Sequence, residues 1–301
     1  MVQNMTTPVG FILVTYNKPH QIVRLVNTLN RIFDYPPIVC HHDYSQSALP
    51  PESLPKNVVL VRPHVVTRWG SMTVIEATLR ALDLMYRTSA SPDWFVFLSA
   101  ADYPIKPAQR ILHDLASSPY DAHIHYERIA YNAYERDWQR LCYERYCSIR
   151  LPFPCLNRNL RLTRREVILK HPLVTAPFLP FSKSLRCFAG EHWFCANRQA
   201  AEYLLEFHHT KPALASYFRR LERYTIIPEE SYYQTVFCNV PCLKVSNRNW
   251  RYTDWSQGGR SPKTLLSEDL PKILASSAHF ARKFDIDVDS STLDTLDAVI
   301  G

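Results

Sequence analysis

Two adjacent glutamates, a pair of adjacent cations and a set of isolated aspartates are the residues of this sequence with chemistry to offer a substrate. Pro228-Glu229-Glu230-Ser231 opens a helical pattern. A helix dipole favours acids in a first turn whatever their task, and a carboxylate held there can also take a proton from a nucleophilic hydroxyl. Phe280-Ala281-Arg282-Lys283-Phe284 sets two cations between phenylalanines. If the rings pack inward, the cations are fixed, and fixed cations neutralise charge growing on a departing diphosphate. A solvated basic pair is the other reading. Asp43 and Asp102 are either turn formers or ligands for a sugar nucleotide, Asp43 meeting ribose hydroxyls or a base N–H with the flat face of Tyr16 beside it.

Some patterns point away from metals. Asp285-Ile286-Asp287-Val288-Asp289 contains overlapping D-x-D triplets. It lies near the C-terminus rather than at the end of a mid-sheet strand, and reads better as an acidic C-terminal turn or helix start. Of the eight cysteines, neither Cys142-x4-Cys147 nor Cys238-x3-Cys242 has a partner pair at zinc-finger distance. No metal site and no cofactor are expected.

The elements that must position these groups alternate between strand and helix. Apolar runs at residues 10–15, 38–42, 58–61 and 94–98 suit strands buried on both faces. Between them, Ile22, Leu25, Val26 and Leu29 keep helical spacing, and Ser71 can cap a long helix through Arg87 marked by Ile75, Leu79, Leu82 and Met85. This predicts an α/β fold: a Rossmann-like, mainly parallel sheet flanked by helices, with ligands at the carboxyl ends of the strands. Those ends are Thr15-Tyr16-Asn17, Asp43-Tyr44 and Asp102-Tyr103. Residues 128–165 hold nine arginines against three acids, with few periodic elements, and read as a surface excursion. A strand at 193–196 and helices at 200–207, 229–238 and 265–275 complete the pattern.

Composition narrows the class. A chain of 301 residues, 46% hydrophobic and 21% charged, is of globular enzyme type. Its six glycines form neither G-x-G-x-x-G nor G-x-x-x-x-G-K-[ST], against the commonest glycine-rich phosphate cradles. No apolar run approaches membrane-spanning length, and the N-terminus lacks a secretory pattern, so the cytoplasm is the expected compartment. The net charge of +7 suits a polyanionic partner: nucleic acid, anionic lipid or a phosphorylated small molecule.

Several segments occur in the order of a known family. They are Phe11-Ile12-Leu13-Val14-Thr15-Tyr16-Asn17, His41-His42-Asp43, Trp69-Gly70-Ser71, Phe97-Leu98-Ser99-Ala100-Ala101-Asp102-Tyr103-Pro104 and Gly190-Glu191-His192-Trp193-Phe194. Pro228-Glu229-Glu230-Ser231-Tyr232-Tyr233-Gln234-Thr235, Asp254-Trp255, Ser261-Pro262 and Phe280-Ala281-Arg282-Lys283-Phe284 follow. The chain thereby resembles the core-2/I-branching β-1,6-N-acetylglucosaminyltransferase family, which includes the protein O-xylosyltransferases; its C-terminal motifs look more like that branch and its bacterial relatives.

The resemblance implies a glycosyltransferase-A fold and an inverting, metal-independent transfer from a UDP-sugar, N-acetylglucosamine before xylose, to a hydroxyl of a glycan, lipid-linked or protein acceptor. It makes Glu230 the general base, and Arg282 and Lys283 the cations that bind the diphosphate. It sets Asp43 with Thr15, Tyr16 and Asn17 around uridine. Trp69, Gly70, Ser71 and Asp102 fall along the donor and acceptor pocket, His192 and Trp193 at the acceptor side, and Arg248 or Arg251 near the phosphates. Residues 1–127 become the UDP-sugar-binding half, and 128–301 the Arg-rich excursion plus acceptor-binding and catalytic half of one continuous domain. His192 departs from the Asp or Gln common in relatives, and Ala100 from a common Gly. The Arg-rich segment suggests peripheral contact with anionic membrane. The rivals are a metal-dependent glycosyltransferase of another family and a basic nucleic-acid-binding module. The second lacks a binding signature and leaves the strand-end aspartates unexplained, so no nucleic-acid partner is expected.

Overall fold

The computed structural model describes residues 7–87, 91–156, 162–224, 226–259 and 261–301. Four apolar runs form the strands expected of them: β1 (Val9–Thr15), β2 (Ile38–His42), β3 (Val58–Leu60) and β4 (Trp94–Leu98). Helices α1 (Pro19–Phe33) and α2 (Met72–Tyr86) connect them. Ser71 caps α2, its hydroxyl accepting from Thr73 N. Beyond β4 the chain forms β5 (Asp102–Pro104), α3 (Ala108–Ala116), β6 (Ala122–Ile124) and β7 (Glu127–Arg128).

The segment expected to have few periodic elements does form them: α4 (Asp137–Tyr146) and an antiparallel hairpin of β8 (Ile149–Leu156) and β9 (Leu162–Leu169). Arg158 and Arg161 lie outside the described residues. A short α5 (Pro172–Thr175), β10 (Phe188–Ala189), β11 (Phe194–Asn197), α6 (Arg198–Thr210) and α7 (Ala213–Leu221) follow. The last elements are α8 (Tyr232–Cys238), β12 (Val245–Ser246), β13 (Arg251–Thr253), α9 (Leu270–Ala275), β14 (Phe280–Arg282) and α10 (Ser291–Ile300).

Seven strands make the main sheet in the order β12-β6-β11-β4-β1-β2-β3. All neighbours are parallel except β11, which runs antiparallel to β4 and β6. Strands from both sides of residue 127 share this sheet. Ile12, Val39, Phe95 and Phe97 face one core cluster, with α2, α6 and α8; Phe11, Leu13, Ile38 and Val96 face another, with α1, α3 and α10. Alternate residues thus bury on opposite faces, as a helix-flanked sheet requires.

A second sheet, β13-β14-β5, lies beyond the β4 end. Phe280 and Phe284 are both buried in the second cluster, so the cations between them are fixed to the core. Gln21 of α1 ties this segment down. Its side-chain amide donates to Ala100 O at 2.7 Å and Phe284 O at 3.0 Å, and its carbonyl accepts from Ile286 N at 2.9 Å.

Candidate active site

A cleft of about 560 Å³ opens where β1 and β4 end. Thr15, Tyr16 and Asn17 after β1 and Ser99, Ala100 and Ala101 after β4 line it. Glu191, His192, Trp193, Glu229, Glu230, Arg282 and Lys283 line it as well. The rings of Tyr16, Trp69 and Trp255 line it while staying about half exposed or more.

Glu230 sits in a 3₁₀ turn (Pro228–Glu230) rather than in the regular helix expected over 229–238, which begins only at Tyr232. The turn starts from Ile227, a β-branched residue at φ 49°. A β-branched side chain in the left-handed region costs on the order of 1–3 kcal/mol and must be held by its surroundings. Tyr146 Oη donates to Ile227 O at 2.8 Å, and Gly190 N donates to Glu230 O at 2.8 Å. A Cβ on Gly190 would lie 1.9 Å from His125 O, so only glycine fits. Arg145 Nη1 then donates to Glu230 Oε2 at 2.9 Å. Burial raises the Glu230 pKa, and Arg145 opposes that rise without cancelling it.

Glu229 is buried beside it, with Oε2 lacking a hydrogen-bond partner among the described residues. Burial pushes its carboxyl up to about 8, so it is largely neutral at pH 7. Glu191 accepts from Asn249 Nδ2, and from Thr253 Oγ1 at 3.2 Å.

The Arg282 guanidinium lies over the Trp193 ring at 4.1 Å, with Nε 3.8 Å from Asp102 Oδ1. Lys283 makes no side-chain hydrogen bond or ion pair among the described residues, leaving a cation at the wall. His192 is partly buried, stacked on Trp193 at 4.4 Å, and its Nε2 is buried without a partner among the described residues. Burial, reinforced by Arg282, lowers its pKa to about 3, so it presents a neutral ring.

Six expected site residues do not line the cleft. Asp43 accepts from Ser45 N and Oγ, Gln46 Nε2, and Thr67 N and Oγ1. Burial alone would raise its pKa, but these hydrogen bonds outweigh it and hold the carboxylate ionised. These bonds brace the cleft residues Gln46 and Thr67 from behind. Asp102 is fully buried, accepting from Ser99 N and Oγ and facing two guanidiniums. Gly70 takes φ 70°, the left-handed turn into α2, and Ser71 is spent on the cap. Arg248 lies outside, stacked on Trp250 at 4.2 Å and paired with Ser277. The Arg251 side chain is fully buried, donating to Phe97 O at 2.7 Å, with Nε 3.6 Å from Asp102 Oδ1. It stands behind Arg282 rather than at the cleft.

Sequence reasoning passed over Glu191, Glu229 and Arg145. Glu191 lies inside a quoted motif, Glu229 was weighed only as half of an acidic pair, and Arg145 was one arginine among nine. Asp285 and Asp287 both pair with Lys18, and Asp289 accepts from Ser267, Ser291 and Thr292 at the start of α10. The triplets are therefore engaged in ion pairs and a helix start.

A carboxylate, Glu230, and two adjacent cations, Arg282 and Lys283, thus line one cleft at the strand ends. The Core-2/I-Branching enzyme family matches residues 11–274, and the chain belongs to that family. Similar curated proteins include xylosyltransferase 2 of Rattus norvegicus, 25% identical over 259 residues that make up 80% of this chain and 27% of the relative. Xylosyltransferase 1 of Rattus norvegicus is 25% identical over 263 residues, 81% of this chain and 29% of the relative. The chain therefore spans under a third of these relatives' length.

Among solved structures, a glycosyltransferase involved in glycosylation of the major capsid of PBCV-1 has a TM-score of 0.36 at 11% identity, covering 91% of this chain and 92% of its own. The WbbM bifunctional glycosyltransferase has a TM-score of 0.41 at 12% identity, covering 94% and 46%. The helix-flanked, mainly parallel sheet is that of the expected α/β class. Among the described residues no helix is long and apolar enough to cross a membrane.

Proposed function

We propose that this chain transfers a sugar from a UDP-sugar to an acceptor hydroxyl in one inverting displacement, without a divalent metal. The observation that carries the reading is the shared cleft of Glu230 and the Arg282-Lys283 pair. Glu230 takes the acceptor proton, the acceptor oxygen forms a bond to the anomeric carbon, and the bond from that carbon to the diphosphate oxygen breaks with its electrons. UDP leaves toward Lys283 and Arg282, where fixed positive charge stabilises the transition state more than the ground state. The exposed rings of Tyr16, Trp69 and Trp255 offer flat faces for base and sugar. Their positions support donor binding between strand ends and cations.

The acceptor is a glycan, lipid-linked sugar or protein hydroxyl. Xylose and N-acetylglucosamine are the sugars to separate, xylose supported by the relatives' names and the C-terminal motifs, N-acetylglucosamine by its frequency in the family that the motifs resemble. A panel of UDP-sugars in a thermal-shift assay, with and without EDTA, tests donor and metal together. Stabilisation by one UDP-sugar, unchanged by EDTA, is expected. Stabilisation that requires manganese sinks the metal-independent reading. Glu230→Gln should lower turnover on the order of 10²–10⁴-fold.

A further inference from the structure

From residue 167 to residue 190 the chain contains no Asp or Glu, while Lys170, Lys183 and Arg186 fall within it. In this stretch a single turn projects apolar side chains into solvent. Leu173 is 85% exposed, Phe178 67% and Val174 49%, with Ala176 and Pro177 also exposed between them. Thr175 alone points inward, 1% exposed, its hydroxyl donating to His171 O at 3.4 Å. The His171 ring packs against Tyr131 at 5.2 Å, fixing the base of the turn. An exposed apolar knob of this kind marks a contact surface.

Charge selects the occupant. Lys170 stands before the knob, held by Glu144 at 2.5 Å. Lys183 and Arg186, beyond it, are exposed and make no ion pair among the described residues. Apolar side chains flanked by cations suit the boundary of an anionic bilayer, where insertion and headgroup attraction add. A uniformly anionic surface meets every cation of the acid-free flank, whereas a protein surface of mixed charge meets only some of them. We propose that the turn at Leu173, Val174 and Phe178 inserts into the headgroup region of an anionic lipid surface, with Lys183 and Arg186 meeting its phosphates. The proposal is independent of the donor sugar.

The test uses the full chain carrying Phe178→Trp, with vesicles of phosphatidylcholine alone or mixed with phosphatidylglycerol. Tryptophan emission is expected to shift to the blue with the anionic vesicles only, and less as salt rises. In co-sedimentation, Leu173→Ser with Phe178→Ser should weaken vesicle binding by about tenfold or more. Lys183→Glu with Arg186→Glu should remove the preference for anionic lipid. All four side chains are exposed, so an unchanged melting temperature checks that these variants fold. Equal binding by wild type and the serine variant overturns the proposal. So does a wild-type dimer in sedimentation velocity that the serine variant dissolves, since a second copy then covers the knob.

Discussion

Arg145 Nη1 lies 2.9 Å from Glu230 Oε2, although the two residues are 85 apart in sequence. The excursion thus reaches back to grip the candidate base: α4 supplies Arg145 to its carboxylate and the adjacent Tyr146 to the carbonyl of the strained Ile227. Because burial raises the Glu230 pKa and Arg145 pulls it down, removing the cation must raise it further. A base works only when ionised, so Arg145→Gln should move the acidic limb of the kcat/KM profile to higher pH. At pH 6 the rate should fall by about 10- to 100-fold, the worth of a charge-assisted hydrogen bond, and recover partly at alkaline pH. A uniform loss at every pH would show that Arg145 only supports the fold.

Lys283 and Arg282 differ in their surroundings. The Arg282 guanidinium lies over the Trp193 ring and near Asp102, whereas Lys283 lines the cleft without a side-chain hydrogen bond or ion pair among the described residues, close enough to Asp285 to lower its pKa. On the proposed mechanism, Lys283→Ala should cut kcat by about 10²–10³-fold, the usual cost of losing one preorganised charge-stabilising group. Steady-state kinetics in EDTA should match those in manganese. Full activity in Lys283→Ala would remove the electrostatic core of the mechanism.

The sheet was legible because β1, β2 and β4 are continuous apolar runs buried on both faces, and Ser71 announced α2 by its capping chemistry. The reversal of β11 was not: a strand buried on both faces shows the same pattern in either direction. Nor were β12, β13 and β14, of two or three residues, since periodicity needs length to register. At the site, the Phe280 and Phe284 spacing foretold the fixed cations. The place of Asp43 behind the cleft was not legible, because its five donors come from Ser45, Gln46 and Thr67, which local pattern does not bring together. Arg145 could not be read from local pattern, because its partner is set by packing of the excursion against the Pro228–Glu230 turn.

Glu229 gives a stability test separate from turnover. Its carboxyl is pushed up to about 8 by burial, against 4.5 for an ordinary glutamate. Between those values the unfolded chain loses its proton while the folded chain keeps it, so this residue's contribution is full below pH 4.5 and is lost as pH rises toward 8. Glu229→Gln keeps the neutral shape without the titration. Urea unfolding should find it close to wild type at pH 5 and more stable by about 1–4 kcal/mol at pH 8. An equal difference at both pH values would show that Glu229 is ionised when folded.

Buried histidines act in the opposite direction. Burial lowers His41, His123 and His279 to about 4, and His192 to about 3. All four are neutral in the folded chain and charge only after unfolding, so their contribution is full above the ordinary value of 6.5 and is lost as pH falls toward 4 and below. The two ranges overlap, so these groups together put the stability maximum where the histidines' loss on the acid side balances that of Glu229 on the alkaline side. His192→Phe isolates one member, since its Nε2 has no partner to lose and its ring stacks on Trp193. Relative to wild type, this variant should gain about 2 kcal/mol in urea unfolding on going from pH 7.5 to pH 5. Parallel curves for the two proteins would mean that His192 titrates normally in the folded state and that water reaches the cleft wall behind Trp193.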